Sequence, residues 1–122
     1  MNFAPVIIPT LSRYGHFKNC VESLRLCKYS NNTDLFIFLD YPSKESHWDG
    51  YENIKKYLPT IKGFKSINII ERKRNFGAVD NFFKSVEYVL ERSDRFIFTE
   101  DDNVFSPDFL DFINKGLELY KD

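Results

Sequence analysis

Cysteine is nearly missing from this chain: Cys20 and Cys27 are the two thiols among 122 residues, and no CxxC pair occurs. Seven positions apart in a segment of helical spacing, they would stand two turns, or roughly 10 Å, from each other, too far for a disulfide. A disulfide scaffold is thereby excluded, and both thiols read as packing groups in a reducing cytoplasm rather than as metal ligands. Glycine and proline are also scarce, at five each, which excludes collagen-like and low-complexity chains. No apolar run approaches the length of a membrane span and no segment reads as a secretory leader, so a cytoplasmic placement is expected. An excess of one charge is lacking too. Lys and Arg number 17 against 18 Asp and Glu, a net charge of -1, so no global field gathers nucleic acid or an anionic membrane. Any charged ligand must be met locally.

What the chain does have is apolar bulk: 43% of it is hydrophobic, with 13 Phe and 7 Tyr, enough for the core of one globular domain. Phe3 to Ile8, closed by Pro9-Thr10, reads as a strand buried on both faces. After Ser12-Arg13-Tyr14-Gly15, the positions Phe17, Cys20, Val21, Leu24 and Cys27 follow helical spacing until Ser30-Asn31-Asn32 breaks it. Leu35 to Leu39 is a second strand, ending at Asp40 and turned by Tyr41-Pro42-Ser43. A polar stretch from Ser43 to Gly50 precedes Tyr51, Ile54, Tyr57 and Leu58, which suggest a helix stopped by Pro59. Ser66 to Glu71 makes a third strand, followed by Arg72-Lys73-Arg74 and Asn75-Phe76-Gly77. Val79, Phe82, Phe83, Val86, Val89 and Leu90 form the best helical stripe, Arg95 to Thr99 a fourth strand, and Phe109 to Tyr120 a closing helix.

Strand-length runs alternating with crossover helices predict an α/β fold, a Rossmann-like three-layer α/β/α sandwich with a mainly parallel sheet and four βα units. Ligands of such sheets bind beyond the carboxyl ends of the strands, near a switch in strand order. The sequence concentrates its chemistry there: Thr10 to Arg13, Asp40, Arg72 to Gly77, and Glu100-Asp101-Asp102. Three consecutive carboxylates repel one another unless cations or hydrogen bonds hold them ionised, and that cost suggests a task. Oxygen ligands at a strand end suit Mg²⁺ or Mn²⁺, which take one or two protein carboxylates and leave positions for phosphates. The plainer reading is an acidic turn ahead of a helix, with Ser106 as N-cap, Pro107 at the first helical position and Asp108 on the positive helix end.

Several other chemistries fail on pattern. Neither GxGxxG nor a P-loop follows the first strand. A phosphoacceptor receiver would carry its acids after strands one and three, not two and four. An EF-hand loop starting at Asp101 would need Gly and Glu where Ser106 and Phe112 stand. No GxSxG elbow is present, and His16 and His47 have no second ligand at metal spacing. A diphosphate bound through a metal fits the strand ends better: Asp102 as ligand, Asp101 accepting from ribose hydroxyls, and Arg72, Lys73 or Arg74 offsetting the remaining negative charge.

The segment Thr99-Glu100-Asp101-Asp102-Asn103-Val104-Phe105-Ser106-Pro107-Asp108-Phe109 resembles the metal-binding segment of GT-A fold nucleotide-sugar glycosyltransferases, both the inverting family two and the N-acetylglucosaminyltransferase I type. The resemblance implies that Asp102 binds the metal, Mn²⁺ or Mg²⁺, that Asp101 contacts ribose, and that Glu100 lies near the sugar or nucleotide. The opening Val6-Ile7-Ile8-Pro9-Thr10-Leu11-Ser12-Arg13 is similar to the family's first strand and nucleotide loop, which puts Thr10 and Arg13 near base or phosphates. Asp40 resembles the acid that reads the uracil edge, and Arg74-Asn75-Phe76-Gly77 with Asn81 the segment where a basic side chain approaches the nucleotide. The implied donor is a nucleoside-diphosphate sugar, a UDP-sugar by the likeness of Asp40, and the implied acceptor a carbohydrate or glycolipid hydroxyl.

Such enzymes commonly have more than twice this length, and the remainder supplies the acceptor site and catalytic base. Residues 1–122 are therefore expected to be the nucleotide-sugar-binding N-terminal part of a GT-A domain, inactive alone, with the base outside it. No transmembrane segment is expected, and docking of a full protein at a membrane face stays open. A sugar-phosphate nucleotidyltransferase-like enzyme and a non-catalytic nucleotide-binding or assembly module remain as alternatives.

Overall fold

Four parallel strands, β1 (Val6–Thr10), β2 (Asp34–Leu39), β3 (Ser66–Glu71) and β4 (Ile97–Phe98), lie in the order β3-β2-β1-β4. The computed structural model describes residues 2–120. Helices α1 (Tyr14–Arg25), α2 (Trp48–Tyr57), α3 (Ala78–Leu90) and α4 (Phe109–Leu119) connect or follow the strands. From β1 to β3 the chain steps one way across the sheet, then returns over two strands to β4. Right-handed crossovers place α1 and α2 on one face and α3 on the other. The side chains agree. Val6, Ile8, Leu35, Ile37 and Leu39 pack in a large core with Phe17, Val21, Leu24 and Ile54, whereas Ile7, Phe36 and Phe38 meet Val89 of α3. Each fully buried aliphatic chain in that first core contributes about 2 kcal/mol of transfer free energy. The return in strand order falls between β1 and β4, and a crevice opens there.

Pro9 explains why it opens. The first strand runs to Thr10, two residues beyond the predicted Ile8, in register with β2 through Thr10 and Leu39. Ile97 N–H donates to the Pro5 carbonyl at 2.8 Å and Thr99 N–H to the Ile7 carbonyl at 3.1 Å, so odd-numbered residues of β1 face β4. Pro9 is next on that side and has no N–H to offer. Pairing stops at Ile7 and Phe98, which shortens β4 to two residues where Arg95 to Thr99 was predicted. The acidic segment then turns away from the sheet.

Two helices turn differently from expectation. The buried positions of α3 are Asn81, Ser85 and Val89, while Val79, Phe83 and Leu90 of the predicted stripe are exposed. Asn81 faces inward because its amide donates to the Phe38 carbonyl at 3.1 Å and its oxygen accepts from Arg72 Nε at 3.0 Å. In α4 the buried pair is Leu110 and Asn114, and Asn114 Oδ1 accepts the Ala4 N–H at 2.8 Å, tying the helix to the start of β1. Its Phe112 and Leu119 are exposed. The helix begins at Phe109 rather than Pro107. Ser106 instead opens a turn closed by the Phe109 N–H at 3.1 Å, and Asp108 at the N-cap makes no side-chain capping bond.

Candidate functional site

A crevice of about 460 Å³ lies beyond the carboxyl ends of the strands, and all four predicted clusters reach it, the third through Asn75 and Gly77 and not through its basic residues. Thr10 and Arg13 come from the end of β1, Asp40 from β2, Asn75 and Gly77 from the loop after β3, and Glu100, Asp101 and Asp102 from β4. Asn81 of α3 also lines it.

Asp101 is its buried anchor. Its Oδ2 accepts from Thr10 Oγ1 at 2.8 Å and its Oδ1 from Arg13 Nη2, which fastens the β1 loop to the β4 loop. Asp102 is more open, with its side chain 40% exposed, and its Oδ2 stands 3.6 Å from Arg13 Nη1. Glu100 is exposed at the rim. Beneath the acids, the Cys20 thiol donates to the Glu100 carbonyl at 3.7 Å. Burial, reinforced by the charge of Asp101, pushes that thiol up to about 12, so it stays protonated. Cys27, whose thiol is also raised by burial, donates to the Ser106 carbonyl at 3.3 Å. Ser23 Oγ accepts the Phe105 N–H at 3.1 Å and the Lys28 N–H donates to the Pro107 carbonyl at 2.9 Å. Helix α1 and the residues after it therefore hold the loop that follows the acids, and both cysteines serve packing.

Asp40 is buried at the opposite wall. Its Oδ1 accepts the Tyr41 and Phe76 N–H groups, each at 2.8 Å, and its Oδ2 accepts the Gly77 N–H at 3.0 Å. Gly77 holds φ +85° immediately before α3, a backbone region that favours glycine. The carboxylate thus sits at the positive end of a helix that begins in another βα unit. Asn75 Nδ2 donates to the Tyr41 carbonyl at 2.7 Å and closes the same wall.

The basic cluster divides. Arg72 folds back beneath α3, with Nη2 directed to Ser85 Oγ at 3.4 Å and its guanidinium over the rings of Phe76 and Phe38, at 4.5 and 5.2 Å. Burial lowers its pKa, and it is spent on structure rather than offered to a ligand. Arg74 stacks on Phe76 at 4.6 Å and lines a separate surface depression with Asp80, Lys84 and Glu87, not the crevice. His16 is exposed, and His47 Nδ1 accepts the Ser43 N–H at 3.2 Å within a turn. The crevice therefore presents four carboxylates, Asp40, Glu100, Asp101 and Asp102, to one guanidinium, Arg13, among the described residues.

One positioning residue escapes a reading by motif. Gly50, in the first turn of α2, lies so close to the backbone of Ser12 that a Cβ there would fall on the Ser12 carbonyl oxygen. Helix α2 thereby supports the loop that carries Arg13.

No protein-family model matches the chain, and no curated protein matches it in sequence. Solved structures do. The chain is similar to S. aureus TarS 1–349, with a TM-score of 0.68 and 14% identity. Similar too are a longer S. aureus TarS structure and TarS 1–349 in complex with UDP, each with a TM-score of 0.67 and 14% identity. Each alignment covers 99% of this chain, which spans 33% of either 1–349 chain and 20% of the longer one. The likeness shows the expected fold, a Rossmann-like α/β/α sandwich of GT-A type.

Proposed function

We propose that residues 1–122 form the nucleotide-sugar-binding N-terminal part of a GT-A glycosyltransferase domain that takes a UDP-sugar and transfers the sugar, with inversion, to a carbohydrate or glycolipid hydroxyl. The observation that carries this reading is the convergence of Thr10, Arg13, Asp40, Asn75, Glu100, Asp101 and Asp102 on one crevice at the switch in strand order. A UDP complex in a structure of the same fold supports it. The acidic segment supports both family two and N-acetylglucosaminyltransferase I as relatives in mechanism.

The residues fit a divalent cation of the magnesium or manganese kind. With four carboxylates against one guanidinium, a diphosphate would meet net negative charge unless a cation entered with it. Among the described residues no group of three His, Cys, Asp or Glu could hold a metal by itself. One protein ligand, the open carboxylate of Asp102, completed by phosphate and water oxygens, is the arrangement Mg²⁺ and Mn²⁺ accept. Bound there, the cation would neutralise the diphosphate and stabilise the departing nucleotide. Asp101 stays with Thr10 and accepts from ribose hydroxyls along its remaining lone pairs. Asp40 has about four acceptor sites and uses three on backbone N–H groups; the fourth, on Oδ2, is left for the imide N–H of uracil. Arg74 stacks on Phe76 outside the crevice and would have to leave that ring to reach a nucleotide. The base that deprotonates the acceptor lies outside these residues.

A thermal-shift comparison of UDP, UMP, GDP and ADP in Mn²⁺ tests the reading. UDP is expected to raise the melting temperature most, by the equivalent of about 2.7 kcal/mol at a hundredfold excess over its dissociation constant. UMP, lacking the second phosphate, should do less. Equal shifts from all four would contradict the assignment of Asp40 to the base, and no shift from any would remove the nucleotide site.

A further inference from the structure

Arg13 touches both acids of the pair, and touches them unequally. Its Nη2 donates to Asp101 Oδ1, a carboxylate whose side chain is 7% exposed, while Nη1 stands 3.6 Å from Asp102 Oδ2, beyond good hydrogen-bond length. The Arg13 side chain is itself 53% exposed, at the position just before α1, and it lines the crevice. Asp101 has Thr10 as a second partner and keeps it if the guanidinium moves. The contact to Asp102 is therefore the one that can be exchanged, and Asp102 is the carboxylate assigned to the cation.

We propose that Arg13 is an exchangeable counter-ion of this pair. It neutralises Asp102 when the crevice is empty, and it moves its charge onto the diphosphate when nucleotide and cation enter together. The inference rests on the metal-dependent nucleotide reading above and adds its regulation: neither partner binds well alone, because a cation must compete with Arg13 and a diphosphate must meet the acids. A guanidinium suits the exchange, since its planar fork binds carboxylate and phosphate with the same geometry. By linkage, the factor by which UDP tightens the cation equals the factor by which the cation tightens UDP, and such couplings commonly run from about 5-fold to 150-fold.

The experiment is a titration of the full chain with Mn²⁺, followed by the loss of the free-ion electron paramagnetic signal, with and without UDP, on wild type, Arg13→Gln and Arg13→Lys. For the wild type, weak Mn²⁺ binding alone and a tens-fold gain with UDP are expected. Removing the competing charge in Arg13→Gln should tighten Mn²⁺ alone by about tenfold, weaken UDP in the presence of Mn²⁺, and cut the coupling factor by about fivefold or more. Arg13→Lys keeps the charge, so Mn²⁺ alone should stay weak. Unchanged Mn²⁺ affinity and unchanged coupling in Arg13→Gln would overturn the exchange while leaving the metal-dependent site intact. UDP binding that needs Arg13 yet ignores Mn²⁺ would overturn the exchange by making Arg13 a permanent phosphate ligand. A wild type that binds no Mn²⁺ with or without UDP would remove the metal reading itself, and the exchange with it.

Discussion

Gly50→Ala is expected to lower the melting temperature by about 10 °C and to weaken nucleotide binding at the same time. In an exposed helix this substitution would stabilise, by roughly 1 kcal/mol of helix propensity. Here the new methyl group would land on the Ser12 carbonyl oxygen, with the Ser12 Cα also only 3.1 Å away. These are backbone atoms, fixed by their position between β1 and α1, so no flexible side chain can yield. Either α2 lifts from the core that holds Tyr51, Ile54 and Tyr57, or the loop from Leu11 to Arg13 deforms. Overpacking of this kind costs about 1–3 kcal/mol and occasionally more, which outweighs the propensity gain. A net loss of about 2 kcal/mol shifts the midpoint of a domain this size by about 4–5 °C per kcal/mol. Differential scanning calorimetry and a UDP titration on the same sample check both halves. A melting temperature a few degrees above wild type would mean that the helix relaxes freely and that Gly50 has no hold on the nucleotide loop.

Asp40→Ala should cost about 3 kcal/mol and also abolish nucleotide binding. The carboxylate is 4% exposed and accepts from three backbone N–H groups, two of which, on Phe76 and Gly77, lead into α3. Hydrogen bonds to a charged group contribute about 1.5–3 kcal/mol, and donors left unmet in a buried wall add their own desolvation cost. Asp40→Asn keeps the shape but turns an amide NH₂ toward a backbone donor, so it should fall between Ala and wild type. Urea denaturation of the three proteins gives the order. A loss below about 1 kcal/mol for the alanine variant would show that water replaces the carboxylate, and the wall would owe its form to other contacts.

The placement of the site was more legible than the packing that builds it. Strand runs such as Leu35 to Leu39 are apolar on both faces, and their ends carry the charge, so the crevice could be anticipated from alternation of elements alone. The same logic fails where a polar residue is needed inside. Asn81, Ser85 and Asn114 face inward to meet a strand carbonyl, an arginine and an unpaired N–H, and they displace Val79, Phe83 and Phe112 to the surface. Hydrophobic spacing cannot register that demand, because the demand comes from a backbone group distant in sequence. The basic run after β3 shows a related effect: Arg72 is consumed by Asn81, Ser85 and two rings, and Arg74 stacks on Phe76 in a depression outside the crevice. Pro9 was visible as a strand end, but its effect on β4 depends on which side of β1 each residue faces. Gly50 carries no local signal at all, since its role is a close approach and not a turn.

Among all these residues Asp102 bears the claim that distinguishes a metal-dependent sugar-nucleotide site from a plain acidic turn. Calorimetric titration of UDP into wild type and Asp102→Ala, each with and without Mn²⁺, addresses it directly. Among the described residues the Asp102 carboxylate makes a loose contact to Arg13 at 3.6 Å and no shorter ion pair, so its removal should leave the melting temperature near that of wild type. The expected result is UDP binding by the wild type that strengthens with Mn²⁺ by tens-fold, and binding by Asp102→Ala that is weak and indifferent to the ion. Equal binding in all four titrations would contradict the metal role of Asp102.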